Sequence, residues 1–496
     1  MIVVDPRRTG TAQWADTWLG LDVGTDIALS NAMAHEILQG GLEHRAFIEH
    51  STTGFDAYRA SLAQYSPQAA EKMTGVPAEV IAEVARAYAK ADRAMICWTL
   101  GITEHHNAVD NVFALINLAL LTGHVGRYGC GLNPLRGQNN VQGGGDMGAI
   151  PDRLPGFQSV SDRELRGKFE RAWGVEIPAQ RGWRLNEMFE AIERGELRSL
   201  YVIGENPLVS EADRTRAEHL LRSVEHLVVQ DIVLTQTAEI AEIVFPAAAG
   251  WCESEGTVTN SERRVQRVRK LMEPPGVARD DIDILCELAR RLGHDLGHPT
   301  AEELWNELRS LSPMHAGMSY KRLDELGGLQ WPCYDEQHPG ELFLHARLWE
   351  NPVRGPLAPF NVVEQEDPVD TLTPDYPIRL TTGRRLDSFN SGVQSGGYTS
   401  PLRRGESFDI SPEDADRYRV ADGEVVRVTS RRGSVTVPVR IDPTLRPGLA
   451  FMTFHFDVPT NVLTIEANDP KSGTAEFKAS AVRIEKLVPN TAAVGE

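Results

Sequence analysis

Eleven consecutive residues, Arg136-Gly-Gln-Asn-Asn-Val-Gln-Gly-Gly-Gly-Asp146, concentrate more recognition chemistry than any other stretch of this chain. They carry one guanidinium, two Asn, two Gln and four Gly. Glycine permits close backbone approach and unusual dihedrals, while the amides offer donors and acceptors. That composition suits neither helix nor strand and predicts a loop wrapped around a large, flat ligand rich in heteroatoms. Arg136, at the head of the loop, supplies a planar two-pronged donor for a carboxylate or phosphate. The plain alternative is a solvated glycine-rich loop, the usual meaning of a bare glycine run.

Other candidates carry weaker signals. His105-His106 invites a metal reading, but adjacent histidines point apart and no third ligand lies nearby in sequence. Asp231 and Asp281 could be helix caps. Arg384 could lie on the surface, and Glu262-Arg263-Arg264 could be a solvated charge run. His455 sits in an aromatic stretch and reads as a core histidine. The five cysteines (Cys97, Cys130, Cys252, Cys286, Cys333) are far apart, with no Cys-x-x-Cys or Cys-x-x-His spacing. Iron–sulfur and structural zinc sites need clustered thiolates, and the odd count argues against a disulfide framework. All five are expected to be small buried hydrophobes.

The elements that must hold these groups alternate. Ile2–Val4 is a short apolar strand whose parallel partners are expected from outside the chain. Asp26–Gln39 has helical spacing, opened by Gly24-Thr25-Asp26. Pro77 is expected at the first helical position of an amphipathic helix over Ala78–Ala91. Ala94–Trp98 is a buried strand running into Thr99–Glu104, a strand-end loop of the kind that holds ligands in open α/β sheets. Asn107–Thr122 and Leu185–Arg194 are helices. Ser199–Ile203, His226–Gln230 and Ile243–Phe245 are strands with polar residues at their carboxyl ends. The order implies an α/β fold with doubly wound parallel sheets. Near Pro356 the pattern changes. Val425–Ser430 and Ser434–Ile441 alternate cleanly across Arg431-Arg432-Gly433, a hairpin signal. Helical content is low there apart from a capped segment at Ser411–Tyr418. Four domains are expected: α/β over 1–138, a second α/β nucleotide-binding domain over 139–250, a mainly helical connection over 251–355 and a β-barrel over 356–490. Asn490–Glu496 reads as a frayed tail.

Composition sets outer bounds. The 496 residues are 41% hydrophobic and 24% charged, as in ordinary globular chains. A formal net charge of −19 argues against nucleic acid as a partner but not against a small anion met by one arginine. The longest apolar run, Phe113–Gly123, is too short to span a membrane and reads as a buried helix. No charged-then-apolar signal pattern opens the chain, so cytoplasm is the expectation.

The run from Arg136 closely resembles the active-site loop of molybdenum or tungsten formate dehydrogenases, in the molybdopterin oxidoreductase superfamily. The resemblance extends along the chain. It implies that Arg136 binds the substrate carboxylate and that Gly137, Gln138 and Val141 touch a bis-molybdopterin guanine dinucleotide cofactor carrying Mo or W. Asp5-Pro-Arg7 and Gly24-Thr25-Asp26 resemble contacts to one dinucleotide arm. Gly101 and Glu104 correspond to a pterin-facing loop. Gly204-Glu-Asn206-Pro-Leu208 with Ser210, then Asp231 and Thr235, resemble the contacts to the second arm. Glu255-Gly-Thr-Val-Thr-Asn-Ser-Glu-Arg-Arg-Val-Gln266 resembles a family signature, and Asp281 a cofactor-contacting carboxylate. Thr382-Gly-Arg384, Ser388, Asn390, Asn461 and Phe477-Lys478 resemble the cap over both pterins, in a barrel of the double-psi type.

The resemblance also implies a four-iron cluster domain, and a cysteine or selenocysteine followed by histidine that ligates the metal. Neither is present in this sequence; no cysteine is followed by histidine. The chain is therefore expected to be a truncated formate dehydrogenase catalytic subunit, inactive alone. A selenocysteine codon read as a stop upstream of Met1, a partial gene or a split subunit would each produce it. Expected partners are formate and electron-transfer subunits or the absent segment. Two alternatives are a nitrate-reductase-type molybdopterin enzyme and a non-catalytic cofactor-binding fragment.

Overall fold

The computed structural model describes residues 1–385, 405–454 and 458–487. Ser388, Asn390, His455 and the expected tail at Asn490–Glu496 lie outside them. The chain divides into two compact units. The first comprises Met1–Leu132, Pro207–His219 and His345–Glu496, and the second Asn133–Asn206 and Leu220–Leu344.

In the first unit, the helix Asp26–Gln39 buries Leu29, Ala32, Met33 and Ile37. They pack with Ile81, Val84 and Ala85 of helix Ala78–Lys90 and Leu118 and Leu121 of helix Ala108–Thr122. Pro77 stands at the N-cap of its helix, one place earlier than expected. Gly123, at φ +68°, ends Ala108–Thr122 in the left-handed conformation that glycine adopts without steric cost. Ile2–Val4 does have a parallel partner within the chain, Thr17–Leu19, with Ile2 opposite Thr17. That corrects the expectation; three residues are too few to show alternation. Thr99–Glu104 is also not a plain loop, because Leu100–Thr103 forms a turn of helix.

The same unit holds the barrel, closed in the order Ile378–Thr382, Leu449–Met452, Phe408–Ile410, Ser434–Ile441, Val425–Thr429, Ser480–Lys486. The hairpin pairs Val425 with Pro438 through Thr429 with Ser434. Its alternation buries Val426, Val428, Val435, Val437 and Val439, against Ile378, Leu380, Phe408 and Ile410. Each such side chain contributes about 1.5–3 kcal/mol of burial. Ser411 caps the helix Pro412–Tyr418 by accepting from the Asp414 N–H at 3.0 Å.

In the second unit three parallel strands lie in the order Ile243–Pro246, His226–Asp231, Ser199–Ile203. Gly256–Thr259 and Arg264–Val268 form an antiparallel hairpin. Arg263, at φ +65° in its turn, donates to the carbonyls of Trp331, Glu341 and Leu342, so it is a staple and not part of a solvated charge run. The glycine-rich stretch is helical from Val141 to Asp146, against expectation. Asn140 opens it at φ 60°, and buried Asp146 closes it by accepting from Gln142 Nε2 at 2.9 Å and Trp331 Nε1 at 2.8 Å. Gly143 is needed there, because a Cβ would lie 1.9 Å from Asn140 Oδ1. The whole is a mixed α/β chain with a closed six-stranded barrel. Among the described residues no helix is long and apolar enough to cross a membrane.

Candidate functional site

In the first unit, three of the predicted segments meet. Lys478 Nζ lies 2.8 Å from Glu104 Oε2 and donates to the Thr382 carbonyl at 3.0 Å. The Phe477 N–H donates to the Glu104 carbonyl at 3.2 Å, and Thr382 Oγ1 donates to the Phe477 carbonyl at 2.9 Å. Gly101 begins this cluster, with open space where a Cβ would stand. Arg384 is half-buried, not a surface residue; it lies 5.6 Å from the Phe454 ring and feels the charge of Glu104. Arg7 rests 3.6 Å from the centroid of Phe451. Gly383 lets the backbone pass close by, since a Cβ there would stand 2.9 Å from that ring and 3.8 Å from Arg7. The Arg7 guanidinium has no hydrogen-bond partner among the described residues. Its backbone N–H donates to Asp5 Oδ1 at 2.8 Å. Burial raises the Asp5 carboxyl, and the charges of Arg7 and Lys478 pull it back.

Gly24, Thr25 and Asp26 precede or begin the helix Asp26–Gln39. Gly24 has φ +83°, and Thr25 Oγ1 donates to the Asp22 carbonyl at 2.6 Å rather than capping. Asp26, in the first turn, has its carboxyl raised by burial and lowered by His105. Asn461 Nδ2 donates to the carbonyls of Val209 at 3.0 Å and Ser210 at 3.1 Å, so Asn461 and Ser210 come together.

In the second unit, the Arg136 loop is docked on the hairpin of the Glu255–Gln266 motif. The Arg136 N–H donates to Ser261 Oγ at 3.0 Å, and Asn140 Oδ1 accepts from the Thr259 N–H at 3.0 Å. The Arg136 side chain is exposed and has no hydrogen-bond or ion-pair partner among the described residues. Its charge is felt by Asp146, whose carboxyl burial raises and Gln142, Trp331 and Arg136 pull down. Gly137 and Val141 are exposed and Gln138 half-buried.

Gly204, at φ +63°, ends its strand. Asn206 is buried and satisfied within the protein, donating to Gln236 Oε1 at 2.7 Å and accepting from Thr237 Oγ1 at 2.8 Å. Asp231 ends the central strand and accepts from the Ile232 N–H at 2.7 Å. Asp281 accepts from Gln230 Nε2. Neither is a cap: Asp280 caps Asp281–Arg291, and Thr235 caps Gln236–Glu239. Burial raises both carboxyls, and the charge of Asp281 adds to the shift at Asp231.

Sequence reasoning passed over Glu476 and set His105 and His106 aside. The structure joins them, although 370 residues separate His106 from Glu476 and no spacing rule links them. The nearby Phe477-Lys478 motif was the one available signal. The cysteines are all free, but Cys97 is exposed and Cys130 and Cys252 are partly so, correcting the expectation of five buried thiols. Cys97 stands on Met95–Trp98, a strand with alternating exposure that cannot hide every residue.

The model of the molybdopterin oxidoreductase family matches residues 1–291, and that of the molydopterin dinucleotide binding domain matches residues 378–481. The F420-dependent formate dehydrogenase subunit alpha of Methanocaldococcus jannaschii is 41% identical over 493 residues, which cover 98% of this chain and 72% of that one. Formate dehydrogenase H of Escherichia coli is 37% identical over 500 residues, covering 99% of this chain and 70% of its own length. Among solved structures, acetylene hydratase from Pelobacter acetylenicus superimposes with a TM-score of 0.72 at 20% identity. The match covers 98% of this chain and 74% of that one, a likeness of fold alone.

Proposed function

The chain belongs to the molybdopterin oxidoreductase family, and on that premise we propose that residues 1–496 carry the cofactor- and formate-binding part of a formate dehydrogenase alpha subunit. The observation that carries the reading is Arg136: an exposed guanidinium on a loop anchored through Ser261 and Thr259. Relatives bearing that name align over nearly the whole chain.

The side chains present fit a bis-molybdopterin guanine dinucleotide. Its diphosphates need cations and backbone donors; Arg7, with no protein hydrogen-bond partner among the described residues, Arg384 and Lys478 supply positive charge. Guanine presents adjacent N–H donors along one edge, and the Asp231 and Asp281 carboxylates are acceptors of the right kind. Bound, the cofactor supplies the metal and the two-electron acceptor. The chain's own residues bind and orient. Arg136 grips the formate carboxylate through two parallel N–H···O bonds, which fixes the direction of the C–H bond. Formate then yields carbon dioxide, one proton and two electrons. A guanidinium stays protonated, so Arg136 positions and neutralises without taking the proton.

None of the five cysteines is followed by histidine. We therefore propose that residues 1–496 alone hold cofactor without turning over formate, the thiolate or selenolate being supplied by other residues. The test is a side-by-side assay of the protein, supplied with those residues, against formate and nitrate with an artificial dye. Formate-dependent dye reduction is expected. Nitrate reduction without formate oxidation overturns the proposal.

A further inference from the structure

We propose that Glu476, gripped by His105 and His106, is a positioning clamp that sets Glu104 against Phe477 and Lys478. The role rests on the reading that those three residues face the cofactor. Glu476 has a side chain with no exposed surface. Its Oε1 lies 2.8 Å from His105 Nδ1, and its Oε2 lies 2.9 Å from His106 Nδ1 and accepts the His106 backbone N–H at 3.3 Å. Both carboxylate oxygens thus face one dipeptide, Oε2 through two hydrogen bonds and Oε1 through charge contact alone. The segments then run alongside each other: His106 N–H to Glu476, Phe477 N–H to Glu104, and Lys478 Nζ to Glu104 Oε2.

The geometry biases the protonation state. His105 Nε2 lies 3.0 Å from the Gly101 carbonyl, an obligate acceptor, and Nδ1 faces a carboxylate. Nε2 donates to that carbonyl, and the Glu476 carboxylate 2.8 Å from Nδ1 favours the charged ring, raising the His105 pKa. His106 is placed likewise, with Nε2 3.3 Å from Glu366 Oε2. The other charges facing the pair are Asp26 and Lys478 on His105 and Glu366 on His106. Burial opposes ionisation of Glu476, but His105 and His106 hold it down to about 2. Burial likewise lowers His105, and Glu476 overrides it upward. Each group favours the charged form of the other, and the contacts join the Gly101–His106 turn to the Glu476–Lys478 segment, which makes a clamp. The histidine contributions are full below the ordinary histidine value of 6.5 and lost as pH rises through their raised pKa values. That of Glu476 is present above 4.5 and lost as pH falls towards about 2.

Two measurements test this. In the unaltered protein labelled at histidine carbons, the His105 resonance, assigned with His105→Gln, should stay in its protonated position as pH passes 6.5. Deprotonation at or below that pH overturns the clamp, and needs no folded variant of Glu476. Second, GMP released by acid from the cofactor-loaded protein is measured across pH for Glu476→Gln, Glu104→Gln and Lys478→Met. Glu476→Gln should weaken retention about ten- to a hundredfold, as loss of groups behind ligand contacts does, and flatten its fall at alkaline pH. Retention equal to the unaltered protein at every pH overturns the clamp. If Glu104→Gln and Lys478→Met lose GMP while Glu476→Gln does not, only the clamp fails. If none of the three loses GMP, the assignment of Glu104 and Lys478 to the cofactor fails as well.

Discussion

Arg136 spends its backbone N–H on Ser261 and leaves its guanidinium exposed, so truncating the side chain costs the loop none of its described hydrogen bonds. Arg136→Ala, in protein supplied with the metal-ligating residues, should therefore lower formate turnover by at least about a hundredfold while GMP content stays near that of the unaltered protein, because only orientation is lost. Arg136→Lys should also be poor, since an ammonium lacks the planar fork. Steady-state kinetics and GMP release check both. At this scale the sequence was legible where one residue type has one chemical use. The sequence pointed through the run after Arg136 to the molybdopterin oxidoreductase family, whose model matches residues 1–291. It was silent where a side chain chooses between partners: Asn206 turns inward to Gln236 and Thr237, and Glu476 finds two histidines remote in sequence.

Elements were legible where period and length agree. The barrel hairpin alternates over the first six residues of Ser434–Ile441, and helix Asp26–Gln39 runs for fourteen. Thr17–Leu19 is too short to carry a period, and the Val141–Asp146 helix contradicts its own glycine content because Asn140 and Asp146 fix its ends. The barrel's stability is a matter of its filled interior. Leu380, with no exposed surface, sits among Ile378, Phe408, Val426 and Val482. Leu380→Ala should cost about 2–5 kcal/mol, against about 1 kcal/mol or less for Val425→Ala, which is 46% exposed. Urea unfolding of both variants checks the contrast.

For the whole molecule, acid stability depends on groups kept neutral as well as on ion pairs. His315 is fully buried, with Nδ1 2.7 Å from Ser312 Oγ, and burial holds its pKa down to about 4. Between 6.5 and about 4 the unfolded chain binds a proton there that the folded chain refuses. Stability from this group is therefore present above 6.5 and lost as pH falls, by roughly 3 kcal/mol in all. His315→Gln should flatten that part of the profile, seen as a smaller fall in melting temperature from pH 6.5 to 4.

The molecule's two compact units each gather one part of the predicted contact set, Arg7 and Lys478 in the first and Arg136 and Asp231 in the second. We propose that the set in each unit, taken by itself, contacts a pterin guanine dinucleotide. Acid hydrolysis of protein purified from a cofactor-producing host tests it most directly. One GMP for each of the cofactor's arms should be released per chain, and Arg7→Ala and Asp231→Ala should each lower that yield. Folded protein that releases no GMP, or a yield that neither substitution changes, would contradict the account.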